Sequence, residues 1–274
     1  MGRAQGRVLE ERTVKTASFP LLSFSGLPWP TRTARRAVLG LAGVFVLWES
    51  AARGLDLPAY VLPSVTRILQ AIVAQHALLL KAAGITVMEA VAGFAAGSLA
   101  GLLLAIVLAM LPAVRRSVLP VATALNSVPV VAYAPLILLW FGMGPESKIV
   151  MVALAVGFTV FLHALAGLDR VDPRAVDLMR SFGADRAAIL WRLRLPAAIP
   201  LTAAGMRVST VRAMIVAIVT EMLGATGGLG WTIFQAVLQI DFVQVWAAIF
   251  VASAISLVFF GTVNALEKRY VFWK

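Results

Sequence analysis

The side chains in this sequence that could do chemistry stand in two settings. Asp172, Arg174, Asp177, Arg180, Asp185, Arg186, Arg192 and Arg194 crowd one polar stretch, with Gly183 near its middle and Pro173 and Pro196 near its ends. Glu49, Glu89, Arg207, Arg212 and Glu221 instead stand singly in or at the ends of apolar runs. Neither setting offers bond-breaking chemistry. There are no cysteines, which excludes disulfides, thiolate nucleophiles and cysteine metal sites. The two histidines, His76 and His163, are too few for a histidine-rich metal centre, and His163 lies in an apolar run where packing accounts for it. No G-x-x-x-x-G-K-[ST] loop occurs, and the nearest stretch, GMGPESK (142–148), lacks the glycine–lysine–hydroxyl order that cradles phosphate. No nucleophile and base stand out as a pair. What remains is charge used for recognition. The polar stretch suits the grip of a soluble partner, while isolated ionisable groups cost free energy at membrane depth and mark packing nodes or a solute path.

The elements that must position these groups follow from composition. The chain has 274 residues, 61% hydrophobic and 14% charged, too few polar groups to cover a soluble surface of that size. An all-α integral membrane protein is expected. Six runs reach the roughly 20 residues a crossing needs; they lie near 35–53, 84–110, 117–141, 147–167, 199–223 and 243–266. Pro120, Pro129 and Pro135 interrupt the third, which predicts a kinked helix, because proline removes a backbone donor. With Asn126, Ser127 and Tyr133 beside those prolines, this span is a candidate wall of a translocation pathway, to be set against simple packing. Gly93, Gly97 and Gly101 recur every fourth residue, on one helix face, and predict close approach of a second backbone. Ser64–Ala83 carries apolar residues at Val65, Ile68, Leu69, Ile72 and Val73, the spacing of an amphipathic helix. Trp140, Phe141 and Trp246 suit an aromatic belt, and Gly227–Gly230 a turn. Residues 1–33 mix charge, Pro and Ser/Thr without a period and are expected to form a disordered tail ahead of a membrane domain at 34–274.

The net charge is +11, which in a soluble protein would suggest nucleic acid. Here the basic residues cluster between apolar runs, which points to membrane topology and away from nucleic acid. With six crossings, Arg53, Arg67, Lys81 and Lys148 share one side. The other side collects the basic residues of the N-terminal tail, Arg115, Arg116, those of the loop 169–198, and Lys268, Arg269 and Lys274. The positive-inside rule then places both termini and the arginine-rich loop in the cytoplasm. Arg207 and Arg212 fall within the fifth run. Arg207 could snorkel to the cytoplasmic face. Arg212 lies deeper, where it could line a path for an anionic solute or meet a buried carboxylate. Glu49, Glu89 and Glu221 lie toward the opposite ends of their runs, where interfacial and pathway roles are both open.

The polar stretch has its own local logic. Asp172 can cap a first helical turn, and Pro173 fits the first helical position, where no amide donor is needed. Ala175, Leu178, Met179 and Phe182 follow an i, i+3, i+4, i+7 pattern and form one apolar face. Gly183 suits the left-handed residue that ends a helix, Asp185 can cap a second helix over 186–194, and Pro196 marks its end. A first helix this short is not stable alone, so its apolar face needs a partner, either the membrane domain or another protein.

This loop resembles the "EAA" loop of ABC-transporter permeases, with the pattern E-A-A-x3-G-x9-I-x-L-P. It reads here Asp177-Leu178-Met179, then Gly183, then Leu193-Arg194-Leu195-Pro196. Asp stands for Glu, Leu-Met for Ala-Ala and Leu for Ile, which keeps the acid and the apolar character. LPSVTRIL (62–69), NSVPVVAYAPLILLWFGMGPESKI (126–149) and EMLGATGGLGW (221–231) extend the resemblance from about Trp48 to Trp273. It is closest to the nitrate/sulfonate/taurine branch of binding-protein-dependent importers. The resemblance implies a type I ABC importer (MetI-like) permease fold in a bacterial plasma membrane. It implies a homodimer that binds no cofactor itself, two cytoplasmic ATPase subunits that carry ATP and Mg, and an extracytoplasmic substrate-binding protein. It further implies that Ala175, Asp177, Leu178, Met179, Phe182, Gly183, Leu195 and Pro196 belong to the part that couples to the ATPase. Sulfonate, taurine or nitrate is the implied cargo, a thiamine precursor or riboflavin the alternative. Two readings of other classes stay open on the residues alone: a membrane scaffold or sensor that recruits a regulator through the loop, and an ion-coupled secondary transporter. Asn126, Ser127, Pro129, Tyr133, Arg212 and Glu221 are the candidate pathway residues.

Overall fold

The computed structural model describes residues 32–56 and 58–271, and among these every regular element is helical. The tail expected over 1–33 falls, through residue 31, outside the described residues, as do 272–274. In chain order the helices are α1 (Arg32–Gly54), α2 (Val65–Ala74), α3 (His76–Met110), α4 (Pro112–Asn126), α5 (Ala134–Phe141) and α6 (Pro145–Asp169), then α7 (Pro173–Ser181), α8 (Arg186–Ile189), α9 (Leu195–Gly224), α10 (Leu229–Leu238) and α11 (Phe242–Tyr270). The chain divides into two units at Val46–Leu47. The first contains the apolar opening of α1, and the second contains everything described below.

Five stretches among the described residues are long and apolar enough to cross a membrane: Arg35–Gly54, His76–Met110, Pro145–Asp169, Arg186–Gly224 and Phe242–Tyr270. The glycine stripe explains how the central pair associates. A Cβ on Gly93 would lie 2.5 Å from Val152 Cβ, one on Gly97 would strike the Ala153 backbone, and one on Gly101 that of Gly157. In lipid no water exclusion drives such association, so backbone proximity and van der Waals contact must supply it. The partner numbers rise together, so α3 and α6 run parallel.

That parallel pair forces the intervening chain to return across the bundle. At its start Arg115 makes a forked pair with Asp169 at the end of α6, Nη1 to Oδ1 at 2.8 Å and Nη2 to Oδ2 at 2.5 Å. This hydrogen bonding holds the Arg115 guanidinium above its ordinary pKa against a smaller desolvation effect. At its finish Leu138 lies beneath Gly224, where an added Cβ would come within 3.0 Å. The third run, expected to cross over 117–141, is instead divided into pieces: α4, a 3-10 turn at Val130–Tyr133, and α5. A continuous kinked helix was expected, and the prolines explain the difference. Pro129 excludes helical backbone at the residue before it and opens the 3-10 turn, while Pro135 sits in the first turn of α5, where no donor is needed.

α9 packs antiparallel to α6. Gly167 faces the backbone of Ala198, and a Cβ on Gly205 would lie 2.6 Å from His163 Cβ. His163 thus has the packing role its apolar setting suggests, with Nδ1 2.8 Å from the Thr159 carbonyl. α11 returns along α9, and Arg207 Nη1 meets the buried Glu267 Oε2 at 3.0 Å. Arg207, which could snorkel to the cytoplasmic face, makes this ion pair from α9. At the far end the Trp48 indole donates to the Pro63 carbonyl at 3.0 Å and sits edge-on to Trp246 at 4.8 Å. Trp246 is therefore part of an aromatic cluster, while Trp140 is exposed. Glu49 accepts from the Thr66 amide at 3.2 Å and pairs with Arg53 at 2.6 Å, which ties the last turns of α1 to α2.

Two expected boundaries move. The amphipathic segment Ser64–Ala83 is not one helix: α2 ends at Ala74, Gln75 takes a non-helical conformation (φ −106°, ψ 20°), and α3 begins eight residues before its expected start at 84. Pro196 does not end a helix. Between α8 and α9 the chain takes one π-helical turn, Leu190–Arg194, in which the Leu195 amide reaches back to the Leu190 carbonyl. The wider turn absorbs the donor that Pro196 lacks, so helix continues from Arg186 to Gly224.

Candidate functional site

Two clusters occupy opposite ends of the bundle. The first is the loop between α6 and α9. Asp172 Oδ1 accepts the Arg174 amide at 2.8 Å and Asp185 Oδ1 the Ala188 amide at 2.7 Å, so both predicted caps are made. Gly183 lies at φ +80°, the left-handed conformation that lets the chain turn between α7 and α8, and the Ala184 amide bonds back to the Met179 carbonyl at 3.0 Å. Such a conformation costs a residue with a Cβ about 1–2 kcal/mol.

The orientation of α7 is informative. Val176 is its buried residue, whereas Leu178 is 58% and Phe182 82% exposed. Half of the expected apolar face therefore points away from the bundle, and Ala175 and Met179 are half-buried. Met179, Phe182, Gly183, Ala184, Asp185, Ala188 and Arg192 line an open groove of about 620 Å³. Asp177, at the acidic position of the motif, is exposed and 3.3 Å from Arg180. Leu195 and Pro196 lie past the π turn at the entry to α9 and are not among the groove's lining residues; Leu195 packs on the core that includes Leu108 and Phe161.

The second cluster is buried and polar. Glu221, fully buried near the end of α9, accepts the Thr86 hydroxyl at 2.7 Å and the Gly230 amide at 2.6 Å. Thr86 Oγ1 in turn accepts the Leu229 amide at 2.8 Å. The first free amides of α10 are thereby satisfied by a carboxylate and a hydroxyl, and the negative charge lies at the positive end of that helix. A Cβ on Gly228 (φ +96°) or Gly230 would collide with Glu221, which explains the glycines at these positions. Lys148, also fully buried, donates to the carbonyls of Met143, at 2.6 Å, Gly144, at 3.1 Å, and Gly224. Its three ammonium protons thus each have an acceptor. Glu89, 3% exposed, lies beside Glu221, and its Oε2 has no hydrogen-bond partner among the described residues. This node joins α3, the turn before α6 and the turn after α9. Glu89 and Glu221 were legible as charges in apolar runs. Lys148 was legible only as a counted cation, and Thr86 not at all, since a threonine in an apolar run usually bonds its own helix.

The remaining candidates are dispersed. Asn126 is half-buried at the end of α4, Ser127 and Pro129 are exposed, and Tyr133 packs on the core shared by α3, α6 and α9. Arg212, half-buried on α9, donates from Nη1 to Thr159 Oγ1 of α6 at 3.2 Å. Among the described residues no hydrogen bond or ion pair joins Asn126, Ser127 or Tyr133 to Arg212 or Glu221.

Comparison with known proteins bears on the whole arrangement. Residues 97–272 match the family described as "Binding-protein-dependent transport system inner membrane component". The chain is 30% identical to the formylaminopyrimidine transport permease protein ThiX of Halalkalibacterium halodurans, over 84% of this chain and 92% of that one. It is 31% identical to the riboflavin transport system permease protein RibX of Chloroflexus aurantiacus, over 84% and 87%. It is 33% identical to the taurine transport system permease protein TauC of Escherichia coli, over 59% of each. Among solved structures, an amino acid ABC transporter aligns with a TM-score of 0.60 at 20% identity, covering 73% of this chain and 97% of that one. A bacterial ABC transporter involved in the import of alginate aligns with a TM-score of 0.60 at 16% identity, covering 87% and 93%. These structures share the fold.

Proposed function

Since this chain belongs to the family of binding-protein-dependent transport system inner membrane components, and is thus the permease subunit of an ABC importer, we propose that it moves its cargo by coupling the α7 loop to a separate ATPase. The observation that carries the proposal is the outward-facing apolar edge of α7, Leu178 and Phe182, beside the groove lined by Met179 and Gly183. A short amphipathic helix presents such side chains to water only at a cost that a partner relieves. In this reading the loop end faces the cytoplasm, in accord with the arginines it carries. Two copies of the chain form the membrane domain, each gripped through α7 by one ATPase subunit that binds ATP and Mg. A binding protein delivers cargo at the opposite end. Closure of the ATPase pair displaces the docked helices and shifts the bundle between its two access states.

For cargo we propose a small solute of the sulfonate, taurine or nitrate class, which the resemblance of the loop and of segments 62–69, 126–149 and 221–231 supports. The second reading, a thiamine precursor or riboflavin, draws on relatives named for those solutes, which align over a larger share of this chain than the taurine relative does.

The test is co-purification of the permease with its ATPase and ATP-dependent uptake in proteoliposomes containing the binding protein. Phe182→Ala is expected to lower ATPase association and uptake at least tenfold. Uptake driven by an ion gradient without ATP rejects the reading, as does full coupling in the Phe182 variant.

A further inference from the structure

α9 carries two arginines five residues apart, and their surroundings differ. Arg207 is neutralised by Glu267 at 3.0 Å and touches Asn264 Oδ1 at 3.5 Å. Arg212, seventeen residues past Leu195, has no ion-pair partner among the described residues and leans on a single neutral hydroxyl, Thr159 Oγ1. That hydroxyl is oriented for the task, since it donates its proton to the Ala155 carbonyl at 3.2 Å and leaves a lone pair for the guanidinium. Around the arginine the flank of α9 is open and apolar, with Val208 57%, Val211 42% and Ile215 56% exposed. A guanidinium at this depth facing hydrocarbon carries a large desolvation cost, whereas one facing a water-filled path or a bound anion does not. Its five donors in a planar fork match two oxygens of an oxoanion, and only one of the five is engaged here.

We propose that Arg212, held in place by Thr159, is the subsite that contacts the oxoanion group of the cargo during passage and selects solutes that carry one. This rests on the importer reading above and extends it, because family membership leaves cargo with and without an oxoanion equally open. Arg212 makes the contact, and Thr159 is a positioning residue that acts through it.

The test uses the complete transporter, permease with ATPase and binding protein, in proteoliposomes. Taurine and nitrate serve as oxoanion probes, with riboflavin as the probe that lacks one. For the wild type, ATP-driven uptake of taurine or nitrate is expected. Arg212→Gln should lower that uptake at least tenfold while co-purification with the ATPase and binding protein shows the transporter assembled. Arg212→Lys, which keeps the charge but not the fork, should fall between. Thr159→Val should raise the KM for uptake severalfold with kcat little changed, a split that a merely structural role would not produce. Oxoanion uptake within twofold of wild type in Arg212→Gln overturns the proposal. If that variant does not assemble, unchanged KM values in both Arg212→Lys and Thr159→Val overturn it instead. ATP-driven uptake of riboflavin with none of taurine or nitrate overturns it while the importer reading stands. Absence of ATP-driven uptake for every probe overturns both.

Discussion

The two ends of this bundle handle polar and apolar groups in opposite ways. The α6–α9 loop satisfies its backbone locally, through the Asp172 and Asp185 caps and the Gly183 turn, and leaves large apolar side chains exposed. The node of Glu221, Thr86 and Lys148 buries its charges and satisfies them across long sequence separations, from Thr86 to Leu229 and from Lys148 to Gly224. The first arrangement is complete as a shape and incomplete as a surface. The second is closed within the subunit. The contrast separates a part poised to meet another chain from a part that holds the helices of this one in register.

The comparison is sharpest where charge is buried. Glu221→Ala leaves the Thr86 hydroxyl and the Gly230 amide without their acceptor and removes a counter-charge near Lys148, so a loss of about 3–5 kcal/mol is expected. It should appear as an early thermal unfolding transition in detergent. Phe182→Ala, at the other end, should shift the same transition by less than about 0.5 kcal/mol, because that ring is exposed. Equal losses in the two variants would break the comparison.

Gly183→Val comes next. Nothing lies within 4 Å of the added Cβ, so the cost is conformational only, about 1–2 kcal/mol, and it falls on the loop. Limited proteolysis should detect a loosened α7–α8 turn while the global transition moves little. Asp185→Ala removes one cap and should cost about 1 kcal/mol, read by faster amide exchange over 186–189. The smallest effect is expected at Glu89. Glu89→Gln replaces a buried carboxyl beside Glu221 whose Oε2 has no hydrogen-bond partner among the described residues, so thermal stability should hold or rise by less than about 1 kcal/mol. A loss as large as that of Glu221→Ala would mean that Glu89 is as integral to the node as its neighbour.

Much of this was legible before any coordinates. Caps, the glycine corner and the glycine stripe are local statements: each needs only a residue type and a spacing, because backbone sterics and helical period do the rest. The broken third crossing was half legible, since the prolines announced a departure from regular helix but not whether it would be a kink or a gap. Pro196 misled because a proline at a helix end and a proline after a π turn look alike in one dimension.

What the sequence determined by itself is therefore the membrane class, the long apolar helices and the loop at Asp172–Pro196 with its caps and corner. Only the tertiary structure decided which charges are neutralised. Arg207 and Arg212 are alike in the sequence, and the packing of α11 against α9 brings Glu267 to one, while Thr159 of α6 meets the other. Likewise the partnership of Thr86, Glu221 and Gly230 joins residues up to 144 positions apart. Electrostatic pairing depends on distance in space, which one-dimensional periodicity does not encode, whereas helix formation and turn geometry depend on neighbours the chain already supplies.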